Sequence, residues 1–180
     1  MLKTLLPMIL LASLPAFAAS PDWQARLAEV MPLLGHRNWI LVVDSAYPLQ
    51  TSPGLETIET NATQVEVVRA VVAAINRSIQ VRPVVLMDAE LPFVSDNDAP
   101  GTSAYRAEVA RLLHDYPIEQ LPHEKIISNI DEAGKTFRVL VLKTNMTIPY
   151  TSVFIRLDCK YWSADQEKRL REKMAAETNK

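Results

Sequence analysis

The chain has 180 residues, 48% of them hydrophobic, enough to bury one sizeable core and without a composition break that would divide it into two domains. With 19 basic against 21 acidic residues and a formal net charge of -2, it carries no electrostatic footprint for nucleic acid or an anionic membrane. Its 4 glycines form no GxGxxG or P-loop cradle for phosphate, and its single cysteine, Cys159, excludes an intrachain disulfide.

The chain opens with the pattern of a secretory leader: Met1-Leu2-Lys3 is positive, Leu5 to Leu14 is apolar, and Ala16-Phe17-Ala18 is an A-x-A cleavage site. The apolar stretch is shorter than the roughly 20 residues a membrane span needs and contains Pro7, with Pro15 just beyond it. The expected mature chain is therefore 19–180, one domain, periplasmic or secreted and free of the membrane after cleavage near Ala18. Asp22 then caps a helix in which Trp23, Leu27, Val30, Met31 and Leu34 recur at helical spacing up to Gly35. Trp39 to Val43 is a short β-rich apolar run, read as a buried strand that ends at Asp44. Tyr47 to Gly54 carries two prolines and a glycine and reads as a loop, and Leu55 to Thr60 alternates as a short strand.

Thr63 offers a cap for a helix from about Gln64 to Arg77, with Val65, Val68, Val71, Val72 and Ile75 as its apolar stripe. Pro83 to Met87 is a second buried strand, followed by an acidic stretch from Asp88 to Asp98 that could line a cleft at the strand's carboxyl end but, with no DxDxDG spacing or His cluster, reads as a solvated loop. Ser103 to Tyr116 is amphipathic and stops at Pro117. Pro122 opens a short helix bearing His123, Ile126 and Ile127, which turns at Ala133-Gly134 into the strand Phe137 to Leu142. Val153 to Leu157 is a further strand, with Cys159 as a partly buried thiol after it. Ser163 and Gln166 resemble a capping box for a highly charged, weakly packing helix from about Ala164 to Ala176. Strands alternating with helices argue for an α/β sandwich with a mostly parallel sheet.

Three stretches carry chemistry. Gly35-His36 precedes the strand that ends at Asp44, with Pro48 shortly beyond; Leu121-Pro122-His123-Glu124 follows later; and Thr144 leads to Pro149-Tyr150-Thr151-Ser152-Val153-Phe154-Ile155. In order and approximate spacing, from about residue 27 to 160, they resemble the motifs of the D-ribose pyranase and L-fucose mutarotase (RbsD/FucU) family. The resemblance implies a three-layer α/β/α sandwich around a mixed sheet of about six strands. It also implies acid/base opening of a sugar ring, with His36 as catalytic acid or base and Asp44, His123, Tyr150, Thr151 and Ser152 binding a ribose- or fucose-like monosaccharide. Imidazole suits such proton traffic because its ordinary pKa lies near 6.5, and the reaction needs neither metal nor organic cofactor.

The family further implies a ring of identical subunits, five or ten, with sites at the subunit boundary. This agrees with the geometry of an extended strand, which separates His36 from Asp44 by more than about 20 Å. Two positions depart from the pattern: Ser152 stands where the family usually has Asn, and Met146 where an acidic residue is common. Family members work in the cytosol, whereas this chain carries a leader. A sugar-binding or scaffold protein without activity is therefore the alternative reading. A hydrolase using His36, His123 and Asp44 as metal ligands lacks any HExxH or GxSxG support.

Overall fold

The computed structural model describes residues 22–178, so the leader read at 1–18 lies outside the described residues. Strand β1, Trp39–Val43, is buried along its whole length because both faces of the sheet are covered there. Five further strands flank it: β2, Leu55–Glu59; β3, Val81–Asp88; β4, Ile118–Leu121; β5, Val139–Lys143; and β6, Val153–Cys159. Their order across the sheet is β2-β5-β1-β6-β3-β4. β1 with β5, β2 with β5 and β3 with β4 run parallel, whereas β6 lies antiparallel between β1 and β3. The sheet is thus mixed, as expected, with one reversed strand near its centre.

Alternation along the strands divides the core. Ile40, Val42, Leu140, Leu142, Val85, Met87, Val153 and Ile155 face the helices α1 (Trp23–Val30), α2 (Gln64–Arg77) and α3 (Thr102–Leu112). Trp39, Leu41, Val43, Val139, Val141, Leu86 and Phe154 face α4, His123–Gly134, through Ile126 and Ile130. Helix α2 buries Val67, Val68, Val71, Val72 and Ile75, each worth about 1.5–3 kcal/mol on transfer from water, so packing holds it. Helix α5, Ala164–Thr178, buries none of its residues. It is held instead at its start by the reciprocal Ser163 and Gln166 bonds of 2.7 and 3.2 Å and by surface pairs such as Glu167 with Arg171.

Most predicted elements lie within a residue or two of their places, with four corrections, one being that α3 ends at Leu112, four residues short of the expected Tyr116. The first helix ends at Val30, because Pro32 diverts Met31–Leu33 into a 3-10 turn. Strand β4 lies between Pro117 and Pro122, where the sequence pattern indicates no element: it is a four-residue edge strand with Glu119 and Gln120 exposed, so it lacks an apolar run. Asp88 is not a loop residue; it is the last residue of β3 and is fully buried.

Candidate active site at the carboxyl edge of the sheet

Parallel strands end on one side of a sheet, and an antiparallel neighbour begins there, so Asp44 after β1, Asp88 at the end of β3, His123 after β4 and Tyr150 before β6 all reach the same edge. Between them lies a cavity of about 500 Å³ whose walls include Asp44, Tyr47, Gln50, His123, Glu124 and Tyr150. That size falls in the range of small-molecule sites. Among the described residues, no lysine or arginine lines it.

Local bonds fix each wall. Asp44 accepts from the Ala46 N–H at 2.9 Å, an Asx turn that swings the chain away from β1, while the Ser152 hydroxyl lies 3.4 Å from its other oxygen. The buried Gln64 amide donates to the Val42 and Thr151 carbonyls, both at 2.9 Å, and accepts from the Thr144 hydroxyl at 2.5 Å. It thereby clamps the segment before Asp44 to the one after Tyr150. The Tyr105 hydroxyl also donates to the Thr151 carbonyl. Tyr150 itself has a φ of 59°, a left-handed conformation uncommon for an aromatic residue, and it directs the chain abruptly into β6. Its ring meets that of His123 edge to face, with centroids 5.7 Å apart.

His123 is the most constrained of these groups. Its backbone N–H, one of the free donors at the start of α4, is held by both Glu90 carboxylate oxygens at 3.0 and 3.1 Å. Its ring Nδ1 lies 3.1 Å from Asp88 Oδ1. Asp88 has a wholly buried side chain, and its second oxygen has no hydrogen-bond partner among the described residues. Burial pushes its carboxyl up to about 6, an effect that His123 opposes and that the charges of Glu90 and Asp44 reinforce. The Tyr47 phenol is likewise pushed up, first by burial and then by Asp131, Asp44 and Asp88; it donates to Gln50 at 3.1 Å.

Of the residues singled out from the sequence, Asp44, His123 and Tyr150 meet at this cavity. Thr151 and Ser152 are buried, at 0% and 1% exposure, and do not line it; the Thr151 hydroxyl is spent on the Ile148 carbonyl at 2.7 Å. Met146 packs against the core while its carbonyl accepts the Ser45 N–H at 2.8 Å, so an apolar tie stands where the resemblance places an acid. His36 is exposed at the opposite end of β1, where the next residue, Arg37, has a φ of 71° and bonds Leu157. The Gly35 turn does not fold it back. Among the described residues, no group of three His, Cys, Asp or Glu is placed to hold a metal ion. Gln64 is expected only as the start of a helix, and Asp88 and Glu90 are expected as solvated loop in preference to cleft lining. The signal for Asp88 was available, since Val-Val-Leu-Met-Asp repeats the pattern of an apolar strand closing on Asp that singled out Asp44.

Solved structures of similar architecture include RbsD from Bacillus subtilis in complex with D-ribose, at TM-score 0.53 and 17% identity, covering 74% of this chain and 92% of that one. FucU from Bifidobacterium longum follows at TM-score 0.51 and 11% identity, covering 74% and 94%. Identities this low speak for the fold alone. Among curated proteins none matches the chain. The sequence pattern of the RbsD / FucU transport protein family matches residues 20–159, from the approach to α1 through the last residue of β6, and leaves out α5. The chain therefore belongs to the RbsD/FucU family.

Proposed function

We propose that this protein is an exported mutarotase or pyranase that interconverts ring forms of a free, uncharged monosaccharide by acid/base ring opening, in a ring of five or ten copies. The observation that carries the reading is the convergence of Asp44, His123 and Tyr150 on one cavity whose described wall residues include no lysine or arginine. Carboxylate, imidazole and phenol together accept and donate hydrogen bonds to sugar hydroxyls. A cavity whose charged wall residues are all acidic repels a sugar phosphate, which is why a free sugar fits better. The second acid/base group is assigned to His36 of an adjacent copy, because no path within one subunit brings it to Asp44. Exposed Leu33 and Ile79 flank His36's end of the molecule, tied together by the Gln80 amide at the Met31 and Leu34 carbonyls, and they supply an apolar contact for assembly.

The test is NMR saturation transfer between anomers over a panel of pentoses and hexoses headed by D-ribose, the sugar in the Bacillus subtilis RbsD complex. Exchange accelerated for at least one sugar supports the reading. Binding without acceleration supports instead a sugar-binding protein of the same fold, an alternative favoured by the absence of His36 from the cavity of a single subunit.

A further inference from the structure

We propose that Asp88 is a positioning residue that makes His123 a proton-transferring group of the site, a role additional to holding sugar hydroxyls; the inference rests on the ring-opening reading above. The pair is built by the fold. β3 and β4 are parallel neighbours in which Asp88 pairs with Leu121, so the helix that starts at His123 begins beside the end of β3. An ionised carboxylate can only accept, so the 3.1 Å contact requires the proton on His123 Nδ1. The Nε2 lone pair of neutral His123 is then free, and His123 lines the cavity. Glu90 pins the backbone of the same residue and Tyr150 flanks its ring, so the imidazole is fixed from three sides.

A purely structural pair is a poor account of this arrangement. Asp88 is buried with one oxygen unpaired, and a buried carboxylate left half satisfied is unfavourable where an apolar residue would pack as well. Its carboxyl, pushed up to about 6, also lets the pair exchange a proton close to neutral pH. The groups facing it are His123, Asp44 from the β1 loop, Glu90, Tyr47 and Tyr105, while Glu124 and Tyr150 line the cavity beside His123; Glu90 and Asp44 favour retention of that proton.

The step balances with the groups already named. His123 Nε2 takes the proton of the anomeric hydroxyl, the C1–O bond to the ring oxygen breaks, and C1 becomes the aldehyde carbon. The ring oxygen receives a proton from the imidazolium of His36 in an adjacent copy. Rotation about C1–C2 and reclosure reverse both transfers: the hydroxyl attacks C1 and returns its proton to His36, while His123 gives its own back to the carbonyl oxygen. Nothing is oxidised or reduced.

The test compares the mature wild-type chain with Asp88→Asn, an isosteric change, using D-ribose and L-fucose as probes for anomer exchange and 15N imidazole shifts as the readout of His123. Asp88→Asn is expected to lower the maximal exchange rate about 10²-fold and move the half-saturating sugar concentration by less than about threefold. It should also abolish the rise in rate around pH 6 that ionisation of Asp88 gives. In wild type, His123 should carry its proton on Nδ1 at neutral pH, and in the variant the two tautomers should mix. The proposal is overturned if Asp88→Asn keeps both the wild-type rate and its pH profile, a result that leaves the mutarotase reading standing. It is also overturned if wild-type His123 carries its proton on Nε2, a measurement that needs no variant to fold. If wild type accelerates exchange of neither probe nor of any sugar in the panel, the ring-opening reading itself falls and takes this role with it.

Discussion

Replacing Asp88 with Asn removes one titrating group and nearly nothing of the shape of β3, so the difference in stability between the two proteins isolates the cost of that charge. The Asp88 carboxyl rises from an ordinary 3.8 to about 6 on folding, so between those values the native state binds more protons than the unfolded chain. Stability must therefore fall as pH rises through that window. A shift of about 2 units corresponds to about 3 kcal/mol once pH exceeds both values. Because the unfolded carboxyl is already partly ionised at pH 4, the change visible between pH 4 and 7 is about 2–3 kcal/mol. Urea unfolding of wild type and Asp88→Asn across that range should show the variant gaining this much relative to wild type. The sign and slope of the difference matter; its absolute level also contains the bond to His123. A difference that stays flat would mean that the ion pair with His123 offsets burial, and one that turns against the variant as pH rises that it outweighs burial; either result refutes a costly Asp88 charge.

The site shared between copies makes a complementation prediction. His36→Asn and His123→Gln should each lose about 10²–10⁴-fold in exchange rate and keep the fold, whereas a co-refolded mixture of the two should regain activity through boundaries that unite one intact histidine from each; no recovery would refute the shared site. Light scattering of wild type should give five or ten copies, and a monodisperse monomer at micromolar concentration would refute the assembly. Gly54→Ala should destabilise by about 1–3 kcal/mol in urea unfolding, because a methyl group there would fall on the Phe137 and Gly134 carbonyl oxygens, which belong to backbone and cannot rotate away. Mass spectrometry of exported protein should show a first residue at Ala19 or close by; an intact Met1 would refute the leader.

Much of this fold was legible because its strands are apolar and its helices are capped. Trp39–Val43 and the Thr63-capped α2 lie at their expected bounds, since a buried β-branched run and a cap followed by an apolar stripe are both local signals. β4 was not legible, because an edge strand of four residues with polar centre takes its structure from pairing with β3 rather than from its own composition. The site divides in the same way. Asp44, His123 and Tyr150 were readable from order and residue type, and the fold brings them together. Asp88 closes an apolar run as Asp44 does, but its full burial depends on pairing with β4 and on the start of α4 beside it, which no local pattern reveals. Gln64 was placed correctly at the head of α2, yet its two carbonyl bonds join segments far apart in the chain, which no local pattern reveals.

The position of β6 sets the order in which this molecule is completed. It is the last strand to be synthesised, yet it lies between β1 and β3 and is what joins the two parts of the sheet. Until residues 153–159 are available, β2, β5 and β1 form one ladder and β3 with β4 another, each with a long unpaired edge exposed. A chain halted before that point leaves the two ladders unjoined, and their closure depends on the slow, long-range pairing that such a topology entails. The same strand starts beside Asp44 and Asp88, so the event that closes the sheet also draws Tyr150 into place, and an incompletely made chain has neither a stable body nor a site.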